Sequence, residues 1–297
     1  MSTTIGLFHD CGAWTAHTQG VKLTLDDYCA YLTERNNPND IYLSLDVINN
    51  GQKSYDNWLE MRKRGFNPIP IYHASTDLKY LKLYLDSGID YLALGAIAKM
   101  HTGTRITSLD EMWRKFLVDR RGIPTIRVHG LGLTSLRVIT RYPWYSVDST
   151  SWQQAGMWGM LFLPRKTGGE FDCANHSYKR FVSTRAPRGQ GEHHILDCSQ
   201  EEQALAKEFV ESCGVLWGIS KLRPASRGAK LGENEIMWTK TRRGKPLPPT
   251  IEELVQKGVI NDHMCRNIVN FKFFVRLSRQ LPSYPWAFKP RIPKVLV

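Results

Sequence analysis

A chain of 297 residues, 42% of them hydrophobic, is long enough to bury a sizeable core, so disorder is not its expected state. The formal net charge of +12 is unevenly distributed: residues 1–120 carry 13 Lys and Arg against 14 Asp and Glu, and residues 121–297 carry 27 against 14. The basic second part favours a polyanionic partner such as nucleic acid, and a basic surface kept only for solubility is the alternative.

The chain has no sequence signal for secretion or for a membrane. Its first residues, MSTTIGLFHD, lack the basic and apolar parts of a signal peptide, and no later stretch has the ~18 consecutive apolar residues of a membrane span. Six cysteines are scattered without the close spacing of a small disulfide scaffold, which is typical of a reducing compartment. We therefore expect a cytoplasmic protein that does not bind membranes.

A short apolar run, a polar turn and a helical pattern follow one another several times in the first 165 residues. The helical pattern SYDNWLEMRKRG, for example, ends at Gly65, the usual residue after a helix. Such alternation predicts a parallel sheet covered by helices. The apolar runs are residues 4–10, 40–46, 68–74, 90–96, 125–132, 144–150 and 160–164.

Seven regularly spaced runs favour a TIM-like (βα)8 barrel, which we assign to residues 1–220 with the eighth strand at 214–220. Within it, residues 165–198 are interpreted as a polar insertion and 201–214 as a helix. A doubly wound open sheet is the alternative, although no Gly-x-Gly-x-x-Gly follows the first strand to support it.

Residues 221–297 are expected to form a basic C-terminal arm or extension packed on the barrel. Residues 221–249 are rich in Lys, Arg, Gly and Pro, with eight basic residues against two acidic ones up to residue 245, so this part is predicted to be a loop or arm. The tail YPWAFKPRIPK, residues 284–294, interleaves aromatic and cationic side chains. This composition suits stacking on nucleic-acid bases, and packing of the aromatic rings onto the barrel is the alternative.

Polar or small residues stand where the predicted strands end. In a barrel the C-terminal ends of the strands meet at one mouth, where active sites lie. A single aspartate at such a position is often only a helix N-cap, but several that converge on one mouth favour a shared site. The strand ends are Asp10, Asp46, His73, Gly95 with Ala96, His129 and Asp148.

Two of these carboxylates are suited to chemistry at a glycosidic bond. Asp148 could attack an anomeric carbon and form a covalent ester, while Asp10 protonates the leaving group and later deprotonates the incoming one. Asp46 could accept two N–H groups from the edge of a guanine-like base, and the backbone N–H of Ala96 could donate to its carbonyl oxygen, since Gly95 lets the chain approach closely. The residues thus predict glycosyl chemistry at a purine in a polyanion.

Five segments in order resemble the motifs of tRNA-guanine transglycosylases, over about half the chain. HDCGAW (9–14) resembles their Asp-Ser-Gly-Gly-aromatic motif, with Asp10 and Trp14 in the matching places. DIYLSLD resembles the strand that ends in the base-recognising aspartate, YLALGAIA the segment that binds the base through its backbone, VHGLGLT the following Gly-x-Gly strand, and YSVDSTSW the strand that ends in the nucleophile.

The resemblance is closest to phage-encoded transglycosylases that insert 7-deazaguanine derivatives into DNA, as in GLTSLRVITRYPWYSVDSTSW (132–152). It implies that a free 7-deazaguanine such as preQ0 replaces guanine in DNA, in the host cytoplasm and without an organic cofactor. Asp148 would hold the deoxyribose and Asp10 would be the acid and base. Transfer RNA is the alternative substrate. A second alternative is a basic barrel that binds nucleic acid without catalysis, but the presence of Asp10 and Asp148 argues against it. The base would contact Asp46, His73, Gly95, Ala96 and Trp14.

The sequence departs from that family in several places. The transfer-RNA enzymes have glutamine where His73 stands and glycine where Ala96 stands, and their first barrel strand is missing here. Their Cys-x-Cys-x-x-Cys zinc motif is also missing, but four residues in the same region have ligand types suited to structural zinc, unless they are unrelated residues of a polar insertion. These are Cys173, His176, His193 (or His194) and Cys198.

Three histidines and three tryptophans also lie in or near the motifs. His9, His101 and His129 are interpreted as structural. Trp14, Trp144 and Trp152 lie beside the proposed motifs, where they could sandwich a purine or pack at the rim of the barrel.

Overall fold

The structure of the chain is a computed structural model. It describes residues 6–35, 37–97, 102–186, 193–226, 228–239, 241–242, 245–246 and 248–289. Residues 4–5 of the first predicted strand, His101 and residues 290–294 of the aromatic and basic tail lie outside these ranges. The chain divides into two compact units, one of Met1–Ser149 with Ser283–Val297 and one of Thr150–Pro282.

In the first unit, short strands alternate with helices, as the sequence pattern predicts. The described elements are β1 (Phe8–His9), α1 (Ala13–Gln19), α2 (Leu25–Arg35), β2 (Ile41–Tyr42), α3 (Gly51–Lys63), β3 (Ile71–His73), α4 (Leu78–Asp86), β4 (Tyr91–Gly95), α5 (Thr102–Met112), a π-helical turn (Trp113–Leu117), β5 (Arg127–Gly130), α6 (Leu136–Ile139) and β6 (Ser146–Val147). The mixed α/β class is therefore confirmed.

All strand pairs of the first unit are parallel among the described residues. β1 pairs with β2, and β3, β4, β5 and β6 pair in that order. A parallel bridge between Leu43 and Ile69 links the end of β2 to the start of β3. The spatial order of the described strands thus follows the chain without the reversal that the doubly wound alternative requires.

The sequence explains where these elements begin and end. Every residue of β4 is buried, as expected for a strand covered on both faces. The Asn50 side chain accepts a hydrogen bond from the N–H of Lys53 and caps α3, and Gly65, with φ of 89°, follows that helix in the left-handed conformation that glycine tolerates. The side chains of α2 and of β2 to β4 enclose one apolar cluster that includes Tyr28, Leu43 and Ile71.

The second unit combines helices with antiparallel sheets. Its core includes three aromatic rings, Phe162, Phe209 and Phe273, with centroids 5.6 Å apart for the first and third and 6.3 Å for the second and third. Its described elements are α7 (Ser151–Met157), β7 (Met160–Thr167), β8 (Glu170–Phe181), a 3-10 turn (Ile195–Asp197), α8 (Gln200–Ser212), β9 (Ile219–Pro224), β10 (Glu235–Trp238), β11 (Thr241–Arg242), β12 (Lys245–Pro246), β13 (Thr250–Gln256) and α9 (His263–Gln280).

The segment predicted to be a polar insertion, residues 165–198, contains a regular strand pair. β7 continues to Thr167 and pairs in antiparallel fashion with the long strand β8. The two strands are joined by Gly168 and Gly169, whose φ values of 59° and 87° suit a tight two-residue hairpin turn. A Gly-Gly pair between two strand-like runs is a recognised hairpin signal, but the many polar side chains of β8 hide the strand pattern in the sequence.

The predicted eighth strand and loop-like arm also differ from the structure. The run 214–220 does not form a strand by itself; β9 begins at Ile219, continues into the basic segment and pairs in antiparallel fashion with β13. A cross-strand ion pair supports this charged sheet: Lys221 on β9 lies directly opposite Glu253 on β13, with 3.8 Å between the charged atoms. Residue 220 lies inside the unit Thr150–Pro282, so the two compact units do not divide at the predicted boundary.

The described part of the C-terminal tail packs on the first unit. Phe288 is buried, and its ring lies 5.3 Å from that of Tyr142 and 6.4 Å from that of Trp113. The Tyr284 hydroxyl donates to the carbonyl oxygen of Ile126 over 3.3 Å. For these aromatic residues, packing is thus the observed role. None of the helices in the described part of the chain combines the length and hydropathy of a membrane span.

Candidate functional site

The three aspartates predicted to share a site are held near one another in the first unit. Asp10 directly follows β1, Asp148 directly follows β6, and Asp46 lies just beyond the bridge that extends β2. Asp10 as a residue is exposed, yet enough protein surrounds its carboxyl group that burial is the main cause raising its pKa. The negative charges of Asp46 and Asp148 raise this pKa further, because they oppose a third negative charge.

The carboxylate of Asp148 is held in its ionised form. Its Oδ1 accepts a hydrogen bond from Nε2 of His129 over 3.1 Å and one from the N–H of Gly132 over 3.0 Å. Burial acts to raise the pKa of Asp148, but these two hydrogen bonds outweigh it and lower the pKa below its ordinary value. The side chain is nevertheless 57% exposed, so solute molecules can reach it.

Asp10 and Asp148 are therefore two carboxyl groups of one candidate site, close enough that the charge of Asp148 raises the pKa of Asp10, and their pKa values are shifted in opposite directions. Such a pair can provide a proton donor and an ionised nucleophile or base at the same pH. A glycosidic bond cleaved with retention needs these two roles.

Asp46 is buried, and each of its carboxylate oxygens has a partner. The thiol of Cys11 donates to Oδ1 over 2.9 Å, and Nε2 of His73 lies 2.8 Å from Oδ2. The pKa of Cys11 is raised well above its ordinary value, first by burial and then by the charge of Asp46, so the thiol stays protonated and remains a donor. Two neighbouring side chains thus fix the orientation of Asp46.

The segment at the end of β4 brings the backbone close to the ring of His73. Gly95 lies opposite His73 in the pairing of β3 with β4, and a Cβ at position 95 would lie 2.6 Å from Cδ2 of His73. The next residue, Ala96, has φ of 63°, a left-handed conformation that is unfavourable for a residue with a side chain. Strained backbone of this kind is concentrated at functional sites.

The three tryptophans proposed for a purine sandwich have different environments. Trp14 is 46% exposed on α1, directly beyond the Asp10 segment. Trp144 is buried, and its ring N–H donates to the carbonyl oxygen of Val138, so it belongs to the core. Trp152 lies in the second unit, where its ring packs against Phe271. Trp14 thus retains the exposure that stacking on a base requires.

His129, which the sequence places at a strand end and for which we favour a structural role, contacts the candidate site through Asp148. It is buried at 3% exposure, and besides Asp148 it contacts the hydroxyl of Ser146, 2.7 Å from its Nδ1. Its position at the end of β5, the strand that pairs with β6, was the available signal. His9, by contrast, is held by Asp40 at 2.8 Å and Tyr31 at 3.0 Å, which agrees with a structural role.

The four residues predicted to bind zinc are not gathered into a metal site. Cys173 is buried, and burial raises the pKa of its thiol to about 12, whereas the side chain of His176 is 59% exposed and contacts Asp172. His193 is exposed, and the thiol of Cys198 donates to the carbonyl oxygen of His194. In the part of the chain that the structure describes, no group of three or more His, Cys, Asp or Glu side chains could hold a metal ion. Zinc binding by these residues stays a prediction.

The chain was compared with protein-family models, with curated proteins and with solved structures, and nothing matches it.

Proposed function

We propose that this protein exchanges guanine in DNA for a 7-deazaguanine base such as preQ0, through a covalent ester between Asp148 and the deoxyribose. The observation that carries the proposal is the opposite pKa shift of Asp10 and Asp148 at the ends of two strands of one unit. The order of the five motifs that resemble the transglycosylases supports the same assignment.

The fold we propose for the first unit is the wall of a TIM-like (βα)8 barrel, of which β1 to β6 are the strands. Two observations support it. The described strands follow chain order, and the ring of Phe8 on β1 stacks on His129 of β5 with centroids 4.6 Å apart, although these strands are not adjacent in the order. Strong curvature of the sheet accounts for a contact between β1 and β5.

In the first half of the reaction, Asp148 attacks C1′ of the deoxyribose. Because Oδ1 accepts both hydrogen bonds, we assign the attack to Oδ2. The bond from C1′ to the guanine nitrogen breaks as the ester bond forms, and Asp10 transfers its proton to the departing base.

In the second half, the incoming 7-deazaguanine replaces guanine. Asp10, now ionised, takes the proton of the nitrogen that attacks C1′, the new glycosidic bond forms, and the ester breaks to release the Asp148 carboxylate. Two inversions at C1′ give net retention, and both carboxyl groups return to their initial protonation states.

Asp46 and its neighbours are assigned to base recognition. Each carboxylate oxygen has two lone pairs, so Asp46 can accept N–H groups from the guanine edge while it holds Cys11 and His73. Since Nε2 of His73 contacts Asp46, we assign Nδ1 of the His73 ring to the base. The exposed ring of Trp14 is assigned to stacking on the base.

The proposal is tested by incubating the protein with labelled guanine and, in separate reactions, with double-stranded DNA, single-stranded DNA or transfer RNA. We expect label to enter DNA, because the basic second part of the chain and the resemblance to the phage-encoded branch both favour it. If label enters only transfer RNA, transfer RNA is the substrate and DNA is not. The absence of label from every polymer, with binding retained, indicates a non-catalytic nucleic-acid-binding protein.

A further inference from the structure

A line of hydrogen-bonded side chains leads from the interior of the first unit to Asp148. The hydroxyl of Tyr91 on β4 lies 2.6 Å from Oγ of Ser146, and this Oγ lies 2.7 Å from Nδ1 of His129. The opposite nitrogen of the ring, Nε2, lies 3.1 Å from Oδ1 of Asp148. The parallel pairing of β5 with β6 places His129 directly opposite Ser146.

The directions of these hydrogen bonds follow from the ionised carboxylate, which can only accept. Nε2 of His129 therefore carries a proton and donates to Asp148. In a neutral imidazole Nδ1 must then accept, so the hydroxyl of Ser146 donates to it. Oγ of Ser146 in turn accepts from the hydroxyl of Tyr91, whose pKa burial raises, so that the phenol keeps its proton. All three donors point towards Asp148.

The ring of His129 has little freedom to leave this arrangement. It is almost fully buried, and the ring of Phe8 stacks on it with an angle of 28° between the planes. The N–H of Gly132 holds the same Oδ1 from the backbone. Together these contacts fix which carboxylate oxygen is held and which one remains for reaction.

We propose that Tyr91, Ser146 and His129 form a positioning relay that selects the Nε2–H tautomer of His129 and holds Oδ1 of Asp148, so that Oδ2 faces the sugar. The effect of the relay on catalysis rests on the proposed base exchange, whereas the selection of the His129 tautomer does not depend on it. His129 is a positioning residue, since it acts through Asp148. Groups that orient a histidine tautomer in this way have large effects in other enzymes.

Kinetics provide the first test, with His129→Ala, His129→Gln, Ser146→Ala and Tyr91→Phe. For His129→Ala we expect kcat to fall about 10- to 100-fold, the loss typical of a misplaced reacting group, with KM for DNA unchanged. Glutamine, which keeps an N–H donor, should restore part of kcat. Ser146→Ala and Tyr91→Phe should give smaller losses, and Ser146→Ala should add nothing to His129→Ala. His263→Ala, an exposed histidine of α9, is the matched control and should match the wild type.

The pH profile separates positioning from a general loss of structure. Three titratable groups act on Asp148: Asp10 after β1, His129 on β5 and, through Ser146, Tyr91 on β4. The guanidinium carbon of Arg127 lies 4.9 Å from the centre of the Tyr91 ring. Because the hydrogen bond from His129 lowers the pKa of Asp148, its removal should move the acidic limb of kcat to higher pH. An unmoved limb together with an unchanged kcat overturns the relay.

Nitrogen NMR of the imidazole ring gives a readout that needs no substrate. With histidine labelled at its ring nitrogens, the wild-type protein at neutral pH should show His129 as the Nε2–H tautomer, and Ser146→Ala should produce a mixture of tautomers. An Nδ1–H tautomer or a doubly protonated ring in the wild type overturns the relay, even if base exchange is observed. If no polymer takes up label while the Nε2–H tautomer is found, the proposed function fails and the relay stands.

Discussion

Gly95 lies opposite His73 in the parallel pairing of β4 with β3, so close that a Cβ at position 95 would lie 2.6 Å from Cδ2 of the imidazole ring. The same ring reaches Oδ2 of Asp46 over 2.8 Å. A glycine in one strand thus determines the position of a histidine in the next strand and, through it, the orientation of a buried carboxylate.

We expect Gly95→Ala to displace His73 and to break its contact with Asp46. The added methyl group overpacks a buried site, which should reduce the free energy of unfolding by about 1–3 kcal/mol and raise KM for the incoming base. Thermal unfolding and steady-state kinetics measure the two effects. Gly232→Ala is the matched control, since a Cβ there meets its nearest atom at an ordinary 3.6 Å. Equal behaviour of the two variants would mean that Gly95 does not position His73.

Ala96→Gly should stabilise the protein. The left-handed φ of 63° costs an alanine about 1–2 kcal/mol, and the greater freedom of glycine in the unfolded chain offsets about 0.5–1 kcal/mol of this gain. We therefore expect a small net increase in the free energy of unfolding, measured with denaturant. Ala30→Gly, at an exposed position of α2, should have the opposite sign, because glycine is unfavourable inside a helix. Destabilisation by Ala96→Gly would show that position 96 is not strained.

The rate of base exchange should be bell-shaped in pH. The proposed exchange needs Asp148 ionised and Asp10 protonated; since the pKa of Asp148 is lowered and that of Asp10 is raised, both conditions hold between the two pKa values. The rate should fall at low pH as Asp148 gains a proton and at higher pH as Asp10 loses its own. Rates measured across this range with saturating DNA provide the test.

Asp10→Asn should slow exchange by about 10²- to 10⁴-fold, the usual contribution of a general acid and base. The alkaline limb of the pH profile should disappear with it, because asparagine does not titrate. Single-turnover measurements of guanine release give both quantities. A variant that keeps the wild-type rate and the alkaline limb would remove Asp10 from the mechanism.

Binding to DNA should weaken strongly as salt increases. The second part of the chain carries 27 Lys and Arg against 14 Asp and Glu, and each phosphate that a cation neutralises releases condensed counterions. The logarithm of the association constant should therefore fall linearly with the logarithm of the salt concentration. Fluorescence anisotropy with labelled DNA measures the slope, and a slope near zero would contradict phosphate contacts by the basic residues.

The sequence predicted the first unit better than the second. Buried parallel strands such as β4 are nearly continuous apolar runs, so their ends, and with them Asp10, Asp46 and Asp148, could be located from the pattern. β8 could not be located in this way, because it is a largely polar strand. The sequence signal for its pairing with β7 is the turn at Gly168 and Gly169.

The partners within the site depend on register, which the sequence does not reveal. The contact of His129 with Ser146 requires the residue-by-residue pairing of β5 with β6. The contact of Cys11 with Asp46 spans 35 positions along the chain. The residue types at the strand ends therefore predicted which groups meet, but not which hydrogen bonds orient them.

The proposed covalent ester at Asp148 is tested most directly by mixing the protein with DNA, stopping the reaction with acid and measuring the mass of the intact adduct. We predict an adduct of the protein with DNA that lacks one guanine, mapped by peptide digestion to Asp148 and absent from Asp148→Asn, which should still bind DNA. Exchange at the wild-type rate by Asp148→Asn, or an adduct on another residue, would contradict the account.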